Sequence, residues 1–111
     1  MAPLSPDSAL TGGAVNYAGT LLQLNTLGHS ANGTTLLQRV RAAGYGGGPP
    51  LGEVLWQSTG YLPPERTVSD WLNSPGHRDT IMNPAYRVAG VGCYFRQAAR
   101  LEGRCVMDLA G

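Results

Sequence analysis

The stretch Val68–Cys93, VSDWLNSPGHRDTIMNPAYRVAGVGC, decides how the rest of the chain is read. Ser74-Pro75 marks a helix start, with serine at the cap and proline at the first helical position, where its missing N–H costs little. The pattern predicts a short helix over about Pro75 to Met82, closed by Asn83-Pro84. One of the two histidines, His77, falls in its first turn. Imidazole can accept a proton or ligate a metal, so His77 is a candidate functional residue. The stretch then runs through Arg87-Val88-Ala89-Gly90-Val91-Gly92-Cys93, which reads as entry into a buried strand.

Upstream of this stretch, Asp7 or Ser8 can cap a helix running to about Leu27. Leu10, Ala14, Tyr17, Leu21 and Leu24 recur at spacings of three and four on its inner face. Gly12, Gly13 and Gly19 each weaken that helix by ~1 kcal/mol relative to alanine, so packing must hold it. Gly28 is the expected C-terminal cap, with His29 directly after it. Thr34 or Thr35 caps a second helix, about Leu36 to Ala43, closed by Gly44. Leu36, Leu37, Val40 and Ala43 are its core residues, and Arg39 and Arg41 are expected in solvent. Leu51–Thr59 is a strand or a short irregular segment that presents Glu53. Gly60 to Pro64 is a turn. Thr67 and Asp70 have the spacing of a capping box for a helix over Val68 to Asn73. Val88–Phe95 and Arg104–Leu109 are expected to pair as an antiparallel hairpin.

Composition narrows the function classes. The chain has 111 residues, a formal net charge of +1 and no lysine, all its basic residues being arginine. With no basic run, no nucleic-acid surface is indicated. No apolar run approaches the ~20 residues of a membrane span. The first residues, MAPLSPDS, lack the basic and apolar regions of a signal peptide. Cys93 and Cys105 are the only cysteines, and their spacing is not that of a zinc knuckle. They are either one disulfide across the hairpin, which implies an oxidising compartment, or two buried thiols.

Four segments, in order, carry a family resemblance. Gly28-His29-Ser30, Arg39-Val40-Arg41-Ala42-Ala43-Gly44-Tyr45, Gly52-Glu53 and W-L-N-S-P-G-H-R from Trp71 resemble the bacterial branch of the CAP superfamily, the SCP domains. The resemblance extends over nearly the whole chain. It implies an α+β fold, an α-β-α sandwich with a small antiparallel sheet between helices. It implies one domain over 1–111, shortened at the N-terminus because the family's first helix is absent ahead of Pro3-Leu4. Such a gap would leave apolar surface that self-association could cover.

The resemblance also places His29, Glu53 and His77 together on one cleft. The family's second glutamate falls at Ser74 here, so the family's set of four is incomplete and Ser74 becomes a cleft position. Two histidines and a glutamate have the donor types of a divalent metal site such as zinc, with one open position. The expected function is a secreted or cell-envelope binding module, whose ligands by resemblance are lipids, sterols or wall-associated partners. The alternative is a metal-dependent hydrolase using His29, Glu53 and His77. Ser30 and Ser74 lie near the histidines, but neither is in a nucleophile elbow.

Overall fold

A computed structural model describes residues 4–59, 64–97 and 101–111. The elements in order are β1 (Ser5–Pro6), α1 (Ser8–Gln23), α2 (Leu36–Ala42), β2 (Leu51–Thr59), α3 (Pro64–Leu72), α4 (Pro75–Ile81), β3 (Val88–Gln97) and β4 (Leu101–Ala110). The strands form one sheet in the order β1-β3-β4-β2. β2, β4 and β3 are antiparallel, and the two-residue β1 joins β3 in parallel. The expected sandwich is therefore present with a mixed sheet. α1 and α2 cover one face, and α3 and α4 cover the other.

Two glycines set how closely α1 approaches the sheet. Alternation along β3 turns Gly90 and Gly92 toward α1 and turns Ala89, Val91 and Cys93 the other way. A Cβ on Gly90 would lie 2.1 Å from the Thr11 nitrogen, and one on Gly92 would lie 2.2 Å from the Val15 nitrogen. The helix backbone therefore rests directly on these two residues. Leu10, Ala14, Tyr17 and Leu21 are buried against the sheet as their spacing predicts, while Leu24 is 49% exposed.

Leu24 is exposed because the helix ends sooner than the sequence suggests. Asp7 caps its start, its side chain accepting from Leu10 N at 2.9 Å. At the other end Asn25 takes a left-handed conformation, φ 50°. Asn25 N donates to Leu22 O and Thr26 N to Leu21 O, the paired bonds of a Schellman stop. Asn25, not Gly28, thus closes α1, which leaves Leu27–Ser30 free to run as an irregular segment along the sheet edge. α2 ends in the same way at Gly44, φ 102°, and begins with a capping box between Thr35 and Gln38.

On the far face Trp71 is fully buried and its indole N–H donates to Leu55 O at 3.0 Å. α3 begins at Pro64, earlier than the expected capping box. Thr67 is therefore inside the helix and buried, its hydroxyl 3.8 Å from Cys105 Sγ. Cys93 and Cys105 are direct cross-strand partners and form a disulfide. The β3–β4 pairing is as expected, with longer strands; of the expected turn Gly60 to Pro64, residues 60–63 lie outside the described residues and Pro64 opens α3 instead. Among the described residues no helix is long and apolar enough to cross a membrane.

Candidate functional site

β2 is an edge strand, and a cleft of about 710 Å³ runs along its open side at Glu53–Gln57. One wall is the segment after α1, with Leu27 and His29; the other is α4, with His77 and Thr80. His29, Glu53 and His77 therefore line one cleft although the fold brings them from opposite faces of the sheet. Trp56 adds aromatic surface to the lining. Ser74 does not line the cleft. It holds the N-cap backbone conformation of α4 without a side-chain cap bond, and Pro75 follows at the start of the helix.

Glu53 is the centre of a buried polar cluster. His29 Nδ1 lies 2.9 Å from its Oε1. Arg39 forks it, Nη1 donating to Oε2 at 2.7 Å and Nη2 to Oε1 at 3.0 Å. Arg39 Nη2 also donates to the His29 carbonyl at 2.8 Å. The guanidinium stacks on the Tyr17 ring, 3.5 Å from its centre. The Tyr17 hydroxyl donates to Gly28 O and accepts from Ala31 N. Three side chains from α1, α2 and β2 thus tie down the segment that carries His29. His29 itself remains 62% exposed on the side-chain scale, while Glu53 is 2% exposed.

Asp108 completes the cluster from β4, directly across from Glu53. It is fully buried, and among the described residues neither of its oxygens reaches a partner in hydrogen-bond geometry. The two carboxyls are nonetheless close enough to act on one another. Burial, then the adjoining Glu53, pushes the Asp108 acid up to about 9, against a weaker opposing pull from Arg39. Burial pushes Glu53 up as well, but the adjoining Asp108 acid and the bonds to Arg39 and His29 outweigh it and hold Glu53 below its ordinary value.

Two members of this cluster escape the sequence reading. Arg39 is buried instead of facing solvent, because Glu53 offers it a bidentate partner under α1. Asp108 was a legible signal: a carboxylate between Met107 and Leu109 in a strand that is covered on both faces.

The donor set does not fit a three-ligand metal centre. Both Glu53 oxygens are engaged by Arg39 and His29, and among the described residues no group of three or more His, Cys, Asp or Glu is arranged to hold an ion. A hydrolase built on Glu53 as metal ligand or free base finds no support in this geometry.

The helix–sheet–helix layering and the edge cleft define an SCP-type domain. The chain belongs to the cysteine-rich secretory protein (CAP) family, whose model matches residues 1–106. Among solved structures it is similar to an outer surface protein from Borrelia burgdorferi. The identity is 26%, the TM-score 0.72, and the match covers 96% of this chain and 77% of that one. It is also similar in fold to an extracellular protein containing an SCP domain from Bacillus anthracis str. Ames. There the identity is 21% and the TM-score 0.74, with 99% of this chain but only 35% of that one covered. No curated protein matches.

Proposed function

We propose that this chain is a binding module of a secreted or cell-envelope protein, and that the cleft along β2 takes an amphipathic small molecule. The observation that carries this is the composition of the cleft. Two imidazoles, His29 and His77, share the lining with Leu27 and Trp56, and Glu53, the one carboxylate among the described lining residues, is already paired with Arg39. Such a cleft offers an apolar body a surface and a polar head two hydrogen-bonding rings, the mix typical of small-molecule sites. A lipid or a wall-associated amphiphile has this chemistry, and the family resemblance implies the same classes.

The setting is supported by the disulfide, which persists in oxidising compartments, and by the outer-surface and extracellular neighbours. The test is a titration with decanoate followed by two-dimensional amide NMR. Shifts confined to Leu27–Ser30, Glu53–Gln57 and His77–Thr80 support the reading. Shifts spread over the surface, or none at millimolar decanoate, overturn it.

A further inference from the structure

Two carboxyls lie side by side under α1, and one guanidinium is there to meet them. Glu53 and Asp108 are direct cross-strand partners, so their side chains share a face of the sheet. Both are buried. Arg39 gives Glu53 one N–H from each terminal nitrogen, and none of its N–H groups is hydrogen-bonded to Asp108. Among the described residues the neighbouring elements supply no hydrogen-bond partner for Asp108. β3 places Gly90 opposite Asp108, α1 crosses Gly90 with its Leu10–Thr11 backbone and adds Tyr17 above Arg39, and the segment after α1 contributes the His29 ring, bonded to Glu53. An ionised Asp108 would be an uncompensated buried charge beside a second carboxylate, so the pair holds one proton.

That proton has a mechanical consequence. Besides the Tyr17 hydroxyl, which holds Gly28 and Ala31, His29 is fastened by two bonds: its ring to Glu53 and its carbonyl to Arg39. Both fasteners belong to the ion pair that Asp108 backs. We propose that Asp108 is a positioning residue that works as a neutral acid, and that loss of its proton unfastens His29 from the cleft wall. In that step the Asp108 O–H gives its proton to solvent hydroxide, leaving a carboxylate and a water. The new charge repels Glu53 and competes with it for Arg39, and His29 loses both partners. The upward displacement of the Asp108 acid fits this role. The inference stands apart from the identity of any ligand.

The experiment is carboxyl carbon NMR on the full chain, aspartate-labelled, from pH 5 to 10, with the His29 ring signals followed in parallel. The Asp108 carbon is expected at its protonated position at pH 7 and to move only in alkaline solution. The His29 ring should change with the same midpoint. In Asp108→Asn this alkaline change at His29 should vanish, because the amide backs Glu53 without a proton to lose. An ionised Asp108 at pH 7, or an alkaline His29 transition that survives in Asp108→Asn, overturns the proposal. The wild-type signals alone decide it if the variant does not fold. A purely structural Asp108 would not make His29 report its titration.

Discussion

Replacing Asp108 by asparagine should stabilise the protein at neutral and alkaline pH and leave it nearly unchanged in acid. Asp108 is fully buried, and its acid is raised from an ordinary 3.8 to about 9. Between those values the native state keeps a proton that the unfolded chain has released. The unfolded state binds fewer protons there, so stability falls as pH rises. At ~1.4 kcal/mol per pH unit, this loss reaches about 4 kcal/mol at pH 7 as an upper bound. Glu53 works in the opposite sense. Its acid is held below the ordinary value, so its contribution is present above pH 4.5 and is lost as pH falls through the lowered value. Coupling between the two carboxyls shares the titration and reduces the effect of either alone. About half the upper bound, ~2 kcal/mol, is the expected gain for Asp108→Asn at pH 7. For a chain of this size that is a rise of roughly 10 °C in Tm. Thermal melts of both proteins from pH 4 to 9 measure it. The gap should be near zero at pH 4 and should widen steadily to pH 9. Parallel curves, or a variant less stable than wild type at pH 8, would refute the charge count on which the reasoning rests.

Other outcomes follow from the packing. Gly92→Ala puts a methyl 2.2 Å from the Val15 nitrogen, backbone that cannot step aside, and should cost about 2–3 kcal/mol of stability in denaturant melts. Gly12→Ala, with nothing within 4 Å, should instead stabilise by ~1 kcal/mol, so the two substitutions in one experiment separate contact from propensity. Arg39→Lys loses the fork on Glu53 and should cost about 3 kcal/mol, with faster amide exchange at His29 and Ala31. Reducing the Cys93–Cys105 bridge, which closes a separation of 12 residues, should lower stability by ~3 kcal/mol, read as a shift in urea midpoint with and without reductant.

The fold was legible wherever local chemistry and tertiary packing agree. Ser74-Pro75, the Thr34-Thr35 pair and the Asp7-Ser8 pair mark helix starts at or within a residue of the observed positions. The hairpin followed from its strand signals, while the two cysteines left a disulfide and a pair of buried thiols both open until the register placed Cys93 opposite Cys105. Errors arose where a tertiary partner overrides a local rule. Arg39 looks like a solvent-facing helix residue until Glu53, fourteen positions away, supplies a buried fork. Thr67 has capping-box spacing, yet Pro64 starts α3 a turn earlier and packing draws Thr67 inward. Gly28 is a better helix stop than Asn25 by propensity, but the Schellman bonds form at Asn25. Of the site, His29, Glu53 and His77 could be named through the family resemblance that the order of the four segments carries. Ser74 could not be separated from them, because its exclusion depends on the direction in which α4 presents its first turn.

In the proposed function, His29 and His77 form the polar end of a ligand cleft. Its most direct test is calorimetric titration of decanoate into wild type, His29→Ala and His77→Ala at one pH, with thermal melts of all three. Each substitution should weaken binding at least several-fold while Tm stays within a few degrees. Equal affinity in all three proteins would contradict it.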